Sequence, residues 1–126
     1  MRRVVITGIG IISPIGNTAA EVAASLRAGR SGIVFSPEYA EHGFRSQIHG
    51  MPQIDLKDHI DKRDLRFMGP GAAYNFLSMQ QAIADSGLEA SDVSNPRTGL
   101  IMGSGGPSTS NFFQAHQTVI EKGSPK

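Results

Sequence analysis

The sequence predicts an α/β protein built on a mainly parallel sheet, and three observations carry that prediction. Val4-Val5-Ile6 is a β-branched run with no polar alternation, the pattern of a strand buried on both faces. A second apolar run, Thr98 to Met102, breaks sharply at Gly103-Ser104-Gly105-Gly106-Pro107. Each run passes through glycines into a segment of helical periodicity that begins with a hydroxyl residue suited to capping, the order of a strand–turn–helix unit.

Taken in order, Gly8 and Gly10 follow the first strand, so backbone either turns there or approaches something closely. Thr18-Ala19-Ala20-Glu21 is a capping box that opens a helix. Ala19, Val22, Ala23 and Leu26 share one face of it, and Gly29 supplies a left-handed stop. Residues 30–69 are weakly periodic, as in a surface insertion or functional loop. Within them 48–51 and 53–55 read as short strands, and 56–68 starts a short helix. A longer helix is expected over 71–86, with Ala73, Phe76, Leu77, Gln80, Ile83 and Ala84 as its inward stripe and Gly87-Leu88 as a Schellman end. Asn95-Pro96 marks a turn, and Ser108 or Ser110 caps a third helix through Phe112, Phe113, His116, Val119 and Ile120. The order is β–α–insertion–α–β–α, with a right-handed crossover placing helices on both faces of the sheet. Two parallel strands cannot cover their own edges, and residues 123–126 form a loop with nothing after it, so the chain looks cut short after Lys126.

Composition narrows the function. The 126 residues suffice for one domain, and a net charge of +1 argues against a general nucleic-acid binder. There is no cysteine, which excludes a disulfide, a thiolate metal site or a thiol nucleophile from this stretch. Arg2-Arg3 precedes an apolar run, but Gly8, Gly10, Pro14 and Gly16 and the capped helix beyond oppose a signal peptide. No apolar run approaches the roughly 18 residues of a membrane span. The expected setting is cytoplasmic.

Four stretches invite chemistry. Gly8-Ile9-Gly10-Ile11-Ile12-Ser13 approaches the dinucleotide fingerprint but has serine at the third glycine, a late helix and no acidic residue about twenty positions on. Gly103-Ser104-Gly105-Gly106 suits either a phosphate cradle or a steric opening beside a pocket or a neighbouring backbone, and the sequence does not separate these. His42, His49, His59 and His116 show no ligand spacing; His116 shares an apolar face and reads as a core or interface residue, the others as solvated. Lys62, Arg63 and Arg66 make one cationic face if helical, which Asp58, Asp61 and Asp64 could neutralise or an acidic partner could occupy, with Arg45 assisting.

Val5 to Gly10, Gly16-Asn17, Leu26 to Ile33, Arg66-Phe67-Met68, Ala82 to Leu88 and Gly99 to Gly106 together resemble the amino-terminal part of the β-ketoacyl-[acyl-carrier-protein] synthase family, nearest to the type I condensing enzymes of bacterial fatty acid synthesis. The resemblance spans almost the whole chain in order. It implies a thiolase-like fold in αβαβα layers, of which residues 1–126 would be part of the first βαβαβαββ half, and a homodimer in the complete enzyme. It also implies decarboxylative Claisen condensation on phosphopantetheine-linked acyl and malonyl groups of acyl carrier protein, with no cofactor or metal. The family's cysteine, two histidines and lysine would lie beyond Lys126, so no catalytic residue is expected here and the stretch alone would be inactive. The resemblance places Lys62, Arg63 and Arg66, with Arg45 more weakly, on the surface that meets the carrier protein, and Gly106 at the acyl-chain pocket near the dimer interface. Pro107-Ser108-Thr109-Ser110-Asn111 departs from the family pattern. Alternatives are a non-catalytic carrier-binding piece akin to a chain-length-factor subunit and, more remotely, a small nucleotide-binding domain using the Gly103 loop.

Overall fold

The computed structural model describes residues 2–124; Met1 and the end of the predicted terminal loop, Pro125 and Lys126, lie outside them. Helix α1 (Ala19–Arg27) starts where the capping box places it, with the Glu21 amide donating to Thr18 Oγ1 at 3.2 Å. The Glu21 carboxylate reaches one residue further back than the standard box and accepts the Asn17 amide at 2.7 Å. Gly29 stops the helix with φ +62°, and its amide and that of Arg30 return to the Leu26 and Ser25 carbonyls, a complete Schellman end. Burial shifts the inward face from the expected one: Ser25 is buried because its hydroxyl donates to the Ile15 carbonyl at 2.6 Å, while Leu26 is exposed.

Residues 30–50 hold two elements that the periodicity did not signal. Strand β1 (Ile33–Phe35) and helix α2 (Pro37–Glu41) follow one another, the helix capped by buried Ser36 and opened by proline at its first position. Strand β2 (Ile48–Gly50) falls within the expected 48–51 and pairs antiparallel with β1, Val34 facing His49. Residues 53–55 form no strand. The expected helix at 56–68 is two short pieces, a 3-10 turn at Leu56–Asp58 and helix α3 (Lys62–Leu65), each begun by its own aspartate: Asp55 accepts the Lys57 amide and Asp61 the Arg63 amide.

Helix α4 (Pro70–Ser86) is the spine of the molecule and ends at left-handed Gly87. Its inward stripe is Ala73, Leu77 and, one position from expectation, Gln81; Gln80 and Ala84 are exposed and Phe76 is at the edge of exposure. Ile60, Ala73 and Leu77 are the buried apolar residues, surrounded by Ile12, Ile54, Leu56, Leu65 and Met68. Short α5 (Ala90–Val93) is held by a reciprocal Glu89–Asp92 capping box, and Asn95 organises the predicted turn. Helix α6 (Thr109–Lys122) is capped by Ser108.

The two predicted parallel strands are a correction. Residues 4–6 and 98–102 carry no strand pairing, and their apolar side chains stand open, Ile6 85% and Ile101 95% exposed. A strand is completed by a neighbour, and among the described residues β1 and β2 have only each other. The expected right-handed crossover is therefore not formed within the chain.

What holds the front segment is α4. Gln81 and Asp85, one turn apart, accept the Ile11 and Ile9 amides at 3.0 and 2.9 Å. Gly10, between these bonds, and Gly8, just before them, press backbone against the helix: a methyl group on Gly10 would overlap the Ser78 carbonyl oxygen and sit 2.8 Å from the Ala82 nitrogen. The close approach read from these glycines is thus met by α4. Gln81 also donates to the Asn17 carbonyl at 2.8 Å, and Asn17 Nδ2 donates to the Gln53 carbonyl, so one side chain of α4 ties the front segment, the entry to α1 and the loop at 53.

Candidate functional site

Two surface features gather the residues singled out in the sequence. The first is a basic depression. Asp61 accepts the Arg63 amide at 2.7 Å, so α3 begins at Lys62, and the Arg66 amide returns to the Lys62 carbonyl at 3.3 Å, carrying the turn through Arg66. Leu65 points to the core, which leaves Lys62, Arg63 and Arg66 outward and exposed. The helical reading of their common face therefore holds. Local neutralisation does not: among the described residues no carboxylate lies within ion-pair distance of these three cations. Of the three aspartates expected to do so, Asp61 is engaged on the Arg63 backbone amide. Arg66 instead lies over the Phe67 ring, 4.7 Å from its centre.

The depression is lined by Lys57, Ile60, Asp61, Lys62, Arg63, Leu65 and Arg66. Lys57 was not singled out in the sequence. In one continuous helix Lys57 and Lys62, five positions apart, would diverge; the 3-10 turn followed by a fresh start at Asp61 brings them to one hollow. The signal was present in two aspartates, Asp55 and Asp61, each suited to start its own turn. Arg45 is exposed in the turn between α2 and β2, on a different element, and does not line the depression.

The second feature is a cleft of about 900 Å³ between the start of α4 and the segment leading into α6. Phe76 and Met79 of α4 line it together with Leu100, Met102, Ser104, Gly106 and Ser108. No atom stands within 4 Å of where a methyl group on Gly106 would sit, so the opening there is real space. The Ser104 hydroxyl donates to the Gly106 carbonyl at 2.6 Å and fixes the glycine turn from within.

The histidines gather nowhere. His116 is exposed on α6 and not in a core, His42 and His59 are exposed, and His49 is half-buried with its ring edge-on to Tyr39 rather than solvated. Among the described residues no group of three or more potential ligands is placed to hold a metal, and no helix is long and apolar enough to cross a membrane.

Comparison with known proteins gives a consistent result. The sequence matches the family described as "Beta-ketoacyl synthase, N-terminal domain" over residues 1–125. It is 53% identical over 119 residues to 3-oxoacyl-[acyl-carrier-protein] synthase 1 of Haemophilus influenzae, covering 94% of this chain and 29% of that protein. The corresponding synthase of Escherichia coli K12 is 54% identical over 109 residues, 86% of this chain and 27% of its own length. A crystal structure of a β-ketoacyl synthase from Burkholderia phymatum superposes with a TM-score of 0.76 at 29% identity, covering all of this chain and 31% of that one. The expected thiolase-like architecture is therefore met, as part of its α/β fold. The chain spans less than a third of these relatives.

Proposed function

Because the chain belongs to the β-ketoacyl synthase family through that family's amino-terminal domain, we propose that it serves chain elongation in fatty acid biosynthesis, as part of a condensing enzyme. The observation that carries this is the identity, above 50% across most of the chain, to relatives named for making 3-oxoacyl groups on acyl carrier protein. The reaction is a decarboxylative Claisen condensation. An acyl group passes from its carrier to a thiol with release of the carrier's own thiol, malonyl-carrier loses carbon dioxide, and the resulting carbanion attacks the acyl thioester and expels the enzyme's thiolate. This chain holds no thiol, so in this reading the nucleophile comes from outside residues 1–126 and the stretch by itself does not turn over.

The chain's own contribution is docking and shape. Lys62, Arg63 and Arg66 meet an acidic carrier protein, with Arg45 as a more distant contact. Unpaired, outward-facing cations speed and orient such an encounter without committing to one fixed ion pair. Gly106 borders the space for the acyl chain, where any side chain would shorten it. Residues 30–69 act as a surface insertion, and the complete enzyme is a cytoplasmic homodimer.

The test is the full-length enzyme with Lys62→Glu and Arg66→Glu together. Each exposed charge contact is worth about 0.2–1 kcal/mol, so reversing two should raise KM for acyl carrier protein about tenfold or more. The value of kcat should be little changed, and the effect should shrink at high salt. Unchanged KM would remove docking from this face. A full-length protein that binds carrier but forms no acyl thioester would instead be a non-catalytic subunit akin to a chain-length factor.

A further inference from the structure

Gly106 leaves room in the cleft that Phe76 and Met79 help to line, and its own position has few supports. Its φ is not left-handed, and no atom stands within 4 Å of the place a methyl group would take. Neither backbone conformation nor local crowding therefore calls for glycine there; what glycine leaves is space. On the downstream side the edge of that space is firm. Pro107 fixes its own φ, and Ser108 caps α6. A methyl group on Gly69 would sit 2.7 Å from Ser108 Cβ, so this end is pressed to the start of α4. The upstream side lacks such an anchor. Among the described residues, the hydrogen bonds on residues 99–107 all belong to Ser104. Its hydroxyl donates to the Gly106 carbonyl at 2.6 Å, short for a bond of this kind, and accepts the Gly106 amide at 3.4 Å. One side chain holds both backbone polar groups of the residue at the edge.

From this arrangement we infer that Ser104 is a positioning residue for acyl-chain selectivity, acting through Gly106. The inference rests on reading the space at Gly106 as room for the acyl chain, and it adds the group that holds its edge. Two acyl groups of different length are told apart only by a wall that stays in place, because a wall that yields by the width of a methyl group accepts both. Without the Ser104 hydroxyl, Gly105 and Gly106 regain the wide backbone freedom of consecutive glycines, and the edge is defined from the Pro107 side alone.

The experiment measures kcat/KM of the full-length enzyme on saturated acyl-carrier substrates from short to long, for Ser104→Ala, Ser104→Thr and Gly106→Ala. The KM for malonyl-carrier and the urea midpoint are read beside it. Gly106→Ala should move the preferred length toward shorter acyl groups. Ser104→Ala should flatten the profile, lowering the ratio of kcat/KM between preferred and disfavoured lengths about three- to tenfold, the size of one lost hydrogen bond. Ser104→Thr keeps the hydroxyl and should keep the wild-type profile. The malonyl-carrier KM and the urea midpoint should stay at wild type in Ser104→Ala. An equal fall at every length, a lowered urea midpoint, or a threonine variant that behaves as alanine would mark Ser104 as structural and overturn the proposal. If Gly106→Ala shifts the profile and Ser104→Ala leaves it sharp, the acyl-chain reading stands and the positioning role falls. If Ser104→Ala flattens it while Gly106→Ala changes nothing, Ser104 does not act through Gly106 and the proposal also falls. If neither changes it, or the enzyme accepts no acyl group of any length, both readings fail together.

Discussion

Replacing Gly10 by alanine tests how the front of the chain is held. A methyl group there would overlap the Ser78 carbonyl oxygen, lie 2.7 Å from its carbon and 2.8 Å from the Ala82 nitrogen, all helix backbone that cannot rotate aside. The segment must therefore lift from α4. Overpacking of this kind costs about 1–3 kcal/mol. Lifting also stretches the Ile9 amide bond to the Asp85 carboxylate and the Ile11 amide bond to Gln81, 2.9 and 3.0 Å long. Such bonds contribute about 1–2 kcal/mol each, the charged one more, though both amides can find water once lifted, which returns part of that sum. A net loss of about 2–4 kcal/mol is expected. Gly71→Ala is the matched control: it lies in α4 with open space around it, and gains up to about 1 kcal/mol from helix propensity. Urea unfolding of both variants gives the midpoints, and hydrogen exchange gives protection of the Ile9 and Ile11 amides. Gly10→Ala should lower the midpoint and release both amides together. A midpoint within about 0.5 kcal/mol of wild type, with both amides still protected, would refute the close-packed seam.

Two further substitutions probe the same spine. Gln81→Leu removes the acceptor for the Ile11 amide and the donor to the Asn17 carbonyl, and a loss of about 2–3 kcal/mol is expected in urea unfolding. Gln80→Leu, exposed one position away, should change stability by less than about 0.5 kcal/mol. Leu77→Ala opens the small core beside Ile60 and Ala73 and should cost about 2–4 kcal/mol, read as a lower thermal midpoint.

Legibility in the sequence followed the range of the interactions. Residues 18–29 and 70–87 emerge as helices because Thr18, Gly29 and Gly87 act on groups no more than five positions away; the Schellman end read at Gly87-Leu88 is incomplete, since the Leu88 amide donates to Ser86 Oγ and not to a helix carbonyl. At Gly8 and Gly10 the sequence left a turn and a close approach both open, and the partner that decides between them was not legible, since Ser78 and Ala82 are some seventy residues distant. The cationic turn of α3 was visible from Lys62, Arg63 and Arg66, whereas Lys57 joined them only through a break in the helix. The sequence left the Gly103 to Gly106 loop open between a phosphate cradle and a steric opening; the structure puts Gly106 in the lining of a cleft with Phe76 and Met79, which the sequence did not connect with it.

By itself the sequence determined the local punctuation, the absence of a thiol, and the ordered pattern that places the chain in its family. The tertiary structure alone decided three things: the inward face of α4, turned to Gln81 and not Gln80; the antiparallel pairing of β1 with β2; and the unpaired state of residues 4–6 and 98–102. The physical reason is common to all three. A cap is satisfied within its own turn, but a helix face or a strand acquires its identity from what lies against it. The β-branched pattern of Val4-Val5-Ile6 specifies a residue set that suits a sheet interior, and only a neighbouring strand can make it one.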